Sequence, residues 1–120
     1  MISFVFGCIY AVLSILLGAF AHHALQDVLS PKNLSSLEVA ARYFFYNSMP
    51  LLFLFFSNKQ FKWPFYLPLL FIVFTGIFSG SIVLFVFLKI PLFAYFTPIG
   101  GIGIMASWLC WLIIIKKKFK

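Results

Sequence analysis

Long apolar stretches alternate with short polar connectors along this chain, and the spacing predicts four helices. The first stretch runs from about residue 2 to 24 and is followed by QDVLSPKNLSS. The second runs from about 37 to 56, ahead of SNKQFKWP. The third covers about 65 to 88 and ends at the tight turn Lys89-Ile90-Pro91. The fourth covers about 92 to 115, and KKKFK closes the chain. A helix rises about 1.5 Å per residue, so about 20 apolar residues cross the hydrocarbon core of a bilayer. The fold class read from this pattern is all-α: an integral membrane bundle of four transmembrane helices in a single domain, residues 1–120.

Local signals mark where the helices start and bend. Ser35 and Glu38 have the capping-box spacing and start the second span near Leu37. Ser30-Pro31 offers an earlier start, with serine as N-cap and proline at the first helical position. On the first choice, the connector holds a short interfacial helix or a turn. Pro50 should bend the second helix. Pro98, followed by Gly100 and Gly101, should break or kink the fourth. Ala19-Phe20-Ala21 has the small-x-small form of a signal cleavage site. However, MISFVFG carries no Lys or Arg, and the apolar run is long for a signal core, so the stretch is read as a span.

Composition narrows the class. The chain is 64% hydrophobic and 9% charged, with 18 phenylalanines and only two acids, Asp27 and Glu38. A soluble domain of this size would need far more polar surface. The net charge of +7 raises the question of nucleic acid. Its distribution over connectors and tail builds no basic face, and no nucleic-acid partner is expected. The charges instead predict orientation. Four spans place both termini and the second connector on one side, with Lys59, Lys62, Lys116, Lys117, Lys118 and Lys120. Lys32, Arg42, Lys89 and both acids lie on the other. The richer side is cytoplasmic by the positive-inside rule, so both termini are expected there. Trp63, Tyr66, Trp108 and Trp111 then fall toward the cytoplasmic interface. Cys8 and Cys110, both inside apolar runs, form neither a disulfide framework nor a zinc pattern.

Two sets of residues stand out inside the spans. Small residues are the first set: Gly7, Ala11, Ser14 and Gly18 along one seam of the first helix, Gly76 and Gly80 as a GxxxG in the third, and Gly103 and Ser107 in the fourth. Helices in lipid associate through close backbone approach and hydrogen bonds, and these positions are read as packing seams within the bundle. The second set is polar: His23, Tyr43, Asn47, Ser79, Ser81 and Thr97. Counted from the helix ends, they fall in the outer half of the bilayer. They read either as interhelical hydrogen bonds or as a small pocket open to the outside.

Catalytic and metal chemistry find little support. No nucleophile stands at a recognisable spacing from a base, and no phosphate loop or HExxH is present. His22 and His23 point about 100° apart on a helix and do not grip one metal together. His23 and Asp27 share a face only if the helix continues. Glu38 and Arg42, four apart, read as an interfacial ion pair. No catalytic residue, metal site or cofactor is expected.

Several segments occur in an order that resembles a known family: LGAFAHHAL, Ala41-Arg42-Tyr43 with Asn47, FSGS, and TPIGG followed by Trp108. Together they are similar to the YgdD-type family of small bacterial inner-membrane proteins, whose function is unknown. The resemblance covers nearly the whole chain and implies four helices and a multi-pass position in the bacterial inner (cytoplasmic) membrane. It makes His23 the family-like histidine, while Phe44 and Asn47 stand where the family often has a tyrosine-glutamine pair and a second histidine. The leading functional expectation is a non-enzymatic accessory or assembly protein, or a self-associated bundle. Its partners would be the lipid bilayer and either another membrane protein or further copies of itself. The alternative is a component of a transporter or channel that uses the outer polar layer, and a third reading is an intramembrane enzyme or a binder of a lipid-like ligand.

Overall fold

A computed structural model describes residues 1–119. Its helices are α1 (Ile2–His22), α2 (Pro31–Phe61), α3 (Tyr66–Leu88) and α4 (Leu92–Lys118), and all four are long and apolar enough to cross a membrane. No strand occurs among the described residues. The physical reason is general: lipid offers the backbone no hydrogen-bond partners, so each spanning segment satisfies its own N–H and C=O groups as a helix.

The largest difference from the expected boundaries is in α2. It begins at Pro31, where the extended residue Ser30 accepts the backbone N–H of Asn33 at 3.2 Å. Proline at N1 loses no hydrogen bond and presets the helical φ. Ser35 and Glu38 therefore lie inside the helix, and the connector contains no separate short helix. With 31 residues, α2 is about 46 Å long and overshoots a core of about 30 Å. Its far end closes on Lys62, left-handed at φ 51°. There the side chain of Asn58 accepts the N–H of Trp63 at 3.1 Å, and the Trp63 indole donates to Ser57 at 2.7 Å.

Neither internal proline interrupts its helix. Pro50 lies within α2 and Pro98 within α4. The expected break at Pro98, Gly100 and Gly101 is absent: α4 continues through all three. Gly100 and Gly101 instead serve packing, because both face Phe78 of α3.

Neighbouring helices run antiparallel. Ser3 at the start of α1 donates to the Leu51 carbonyl late in α2 (2.6 Å), while His22 at the end of α1 meets Glu38 early in α2. α2 and α3 pack along each other at the centre, with α1 along α2 and α4 along α3. α1 reaches α3 through Tyr10, whose hydroxyl donates to the Ile72 carbonyl at 2.5 Å and faces Gly76. Phe71, Leu67, Leu51 and Phe44 form the core with Tyr10 and Trp63. Trp111 packs against Trp63 and Trp108, and Trp108 and Trp111 both meet Phe71 edge-on. The shortest extent, 19 Å, is two helix diameters, so α1 and α4 keep broad faces for lipid.

The small-residue seams divide into used and unused positions. Gly7 packs on Leu51 and Leu52, and Gly76 on Tyr10. Gly103 sits under the ring of Phe74. Ser107 is buried, and its hydroxyl bonds back to the Gly103 carbonyl at 2.8 Å. Gly18 and Gly80 face no heavy atom within 4 Å of where a Cβ would stand. The GxxxG of α3 is thus half engaged, and the closest α3–α4 approach is made from the other side, at Gly100 and Gly103.

Candidate functional site

The expected polar layer is resolved into separate bonds. Ser79 donates to the Ala40 carbonyl of α2 at 3.0 Å. Ser81 and Thr97 join α3 to α4 through their hydroxyls at 2.6 Å. Asn47 donates to the Tyr43 carbonyl at 2.9 Å and accepts from the Trp108 indole at 3.1 Å. Because α2 starts early, Asn47 is the seventeenth of its 31 residues and lies near mid-helix, about two turns deeper than Ala40. The Tyr43 side chain is exposed and stacks on Phe78 and Tyr46. His23 is separate from all of these: it is the exposed C-cap of α1, and turns follow it, so it shares no helical face with Asp27. Among the described residues, two buried polar atoms have no partner, Thr75 Oγ1 and Trp111 Nε1.

The Asn47–Trp108 bond ties α2 to α4 across the bundle. Leucine at position 47 removes the acceptor and leaves an indole N–H unpaired in an apolar setting, at a cost of about 1 kcal/mol. Trp108→Phe should then cost less in the Asn47→Leu background than in the wild type. A double-mutant cycle on detergent unfolding measures this difference, and strictly additive costs would mean that the bond contributes nothing.

Two charged contacts lie elsewhere, at the end of the bundle where α1 finishes. Glu38 places one carboxylate oxygen 3.1 Å from His22 Nε2 and the other 3.9 Å from Arg42 Nη2. The Glu38–Arg42 pair therefore forms as expected, and His22, not His23, completes the cluster. His22 and Arg42 are largely exposed and Glu38 is half-buried. Below them a groove of about 450 Å³ opens between α1 and α2, lined by Ser14, Gly18, Ala41, Phe45 and Tyr46 in addition to the charged residues. The sequence contained no signal for the His22–Glu38 pair. It depends on how α1 and α2 align along their axes, whereas Glu38–Arg42 follows from the four-residue helical repeat. Among the described residues, no three His, Cys, Asp or Glu side chains gather to hold a metal.

The fold and its polar clusters define a polytopic integral membrane protein: four spans, internally bonded polar groups and charges at the helix ends. Comparison with known proteins agrees. Residues 17–101 match the model of a family described as protein of unknown function (DUF423). The UPF0382 membrane protein SH2409 of Staphylococcus haemolyticus is 33% identical over 119 residues, covering 96% of this chain and 94% of the relative. YwdK of Bacillus subtilis, also named a UPF0382 membrane protein, is 29% identical, with 88% of each chain covered. The UPF0382 inner membrane protein YgdD of Escherichia coli K12 is 25% identical, covering 91% of this chain and 85% of its own. No solved structure matches the chain. The chain belongs to the DUF423 family, as the resemblance to YgdD-type proteins implied, and is a multi-pass protein of the inner, cytoplasmic membrane.

Proposed function

We propose that the protein is non-enzymatic and acts through contacts within the membrane, as an accessory or assembly subunit or as a self-associated bundle. The observation that carries this reading is how its polar groups are used. Ser79, Ser81, Thr97 and Asn47 all bond inside the chain, while Gly80 meets no heavy atom within 4 Å of where a Cβ would stand and leaves the GxxxG of α3 open to a further helix. A transport pathway would need polar groups that face water or substrate, and would gain from a broken helix. The mutual bonding of Ser81 with Thr97 and the continuity of α4 through Pro98 favour the contact reading over transport.

The test is purification in mild detergent with mass and composition determined for the intact particle. The expected result is an assembly larger than one chain, with either a second protein in fixed ratio or further copies. A lone monomer that carries a solute flux in vesicles would refute the proposal.

The orientation belongs to the same proposal: both termini face the cytoplasm. Met1, Lys59, Lys62 and Lys116–Lys118 share one end of the bundle, against Lys32, Arg42 and Lys89 at the other; Lys120 lies outside the described residues. The excess of lysine at the first end supports a cytoplasmic position. A cysteine introduced at Lys117 should resist a membrane-impermeant maleimide in intact cells and react after lysis. One at Lys89 should react in both, and the opposite pattern would invert the topology.

A further inference from the structure

We infer that the groove between α1 and α2 seats one phospholipid of the surrounding leaflet, its anionic phosphate headgroup at Arg42 and His22 and an acyl chain along Gly18 and Ser14. This goes beyond the contact reading and does not depend on it.

The groove is graded. Its mouth is charged, formed by His22, Glu38 and Arg42, and its floor is Ser14, Gly18 and Ala41. From His22 to Ser14 is eight residues of α1, about 12 Å along the helix. A volume of about 450 Å³ lies in the range of small-ligand sites, commonly about 300–1,000 Å³. Gly18 leaves the floor open, because no heavy atom stands within 4 Å of its Cβ position. Phe45 and Tyr46, flanking the groove on α2, are both exposed and in a span face lipid. An occupant entering from that side must be amphiphilic, anionic at one end and hydrocarbon at the other.

Arg42 supplies the recognition chemistry. A guanidinium presents five N–H donors in a rigid fork that matches phosphate oxygens. Glu38 approaches it only to 3.9 Å, and the side chain remains largely exposed. The carboxylate stands beyond hydrogen-bond distance, so the fork retains its donors for a second anion. His22 lies on the other oxygen of Glu38 at 3.1 Å and sets an imidazole beside the fork at the groove mouth.

Charge also argues against a second copy of the chain as the occupant. The whole chain has two acids, Asp27 and Glu38, and Glu38 is already engaged. A packed helix would therefore bury Arg42 and His22 with little to pair them, which is costly in a membrane. A lipid headgroup brings its own anion and leaves the mouth hydrated.

The experiment is native mass spectrometry of the full chain in dodecyl maltoside containing equal parts of dioleoyl phosphatidylglycerol and dioleoyl phosphatidylcholine. The wild type should retain one phosphatidylglycerol per chain, preferred about tenfold over phosphatidylcholine. Arg42→Gln should abolish the preference. Gly18→Leu, which fills the groove, should abolish retention while leaving helicity and tryptophan fluorescence unchanged. Lys89→Gln, which removes a charge at the same end but off the groove, should behave as wild type. Unchanged retention in both Arg42→Gln and Gly18→Leu would overturn the inference, as would an equal loss in Lys89→Gln, the mark of a diffuse charge effect. Displacement of the lipid by millimolar glycerol 3-phosphate would identify a site for a soluble phosphate. A change in oligomer mass on Gly18→Leu would identify a seat for another copy. Either result would refute the lipid assignment.

Discussion

Replacing Gly100 with alanine should destabilise the bundle by about 3 kcal/mol, at the upper end of the range for overpacking. A Cβ at this position would overlap the backbone nitrogen of Phe78 and stand 2.6 Å from its Cα. Those are main-chain atoms, so no rotamer change relieves the clash, and α4 must move away from α3. The displacement would stretch the Ser81–Thr97 and Asn47–Trp108 bonds, both of which reach α4. Gly80→Ala is the matched control, since its Cβ would meet nothing within 4 Å. Both substitutions carry the same gain of about 1 kcal/mol in helix propensity, so their difference isolates the clash. Unfolding by sodium dodecyl sulfate, followed by tryptophan fluorescence, measures it. Equal midpoints for the two variants would mean that the α3–α4 approach at Gly100 does not hold the bundle together.

The second large effect is expected at Phe71, which is fully buried and meets Trp108 edge-on at 5.4 Å and Trp111 at 6.0 Å. Phe71→Ala should cost about 3 kcal/mol, the low end for such truncations in soluble cores. In a membrane the unfolded helix already keeps the ring in an apolar solvent, so little transfer energy is lost. The cost comes from the cavity and from the lost ring contacts. Phe71→Leu keeps most of the volume and should cost about 1 kcal/mol. The emission of the two tryptophans should change in Phe71→Ala before any denaturant is added. A wild-type spectrum and midpoint would mean that this aromatic cluster is not a stabilising unit.

The spans were legible because the bilayer imposes its thickness on any chain that crosses it. The run from about 65 to 88 became α3, Tyr66–Leu88, nearly to the residue. α2 was read short because the segment from Pro31 to Ser36 is polar and carries no hydropathy signal. Its start was nonetheless encoded in Ser30-Pro31, a local cap. Of the break or kink expected at Pro98, the break does not occur: α4 runs on through it, since a proline removes only one hydrogen bond of the helix, and Gly100 and Gly103 pack on α3.

The candidate sites were less legible, for a single geometric reason. Within one helix a residue's angle is known from its number, so Glu38 and Arg42 could be paired four apart. Between helices, the relative rotation and axial offset are set by the whole contact surface. That is why Asn47 met Trp108, why His22 rather than His23 reached Glu38, and why Gly80 stayed open while Gly100 pressed on Phe78. Sequence alone determined a four-span membrane protein, since apolar runs of this length in lipid satisfy their backbone as helices, and the order of its motifs carried the family resemblance. Only the tertiary structure decided which small and polar residues meet and where a groove remains, because these depend on how close-packed helices settle against one another.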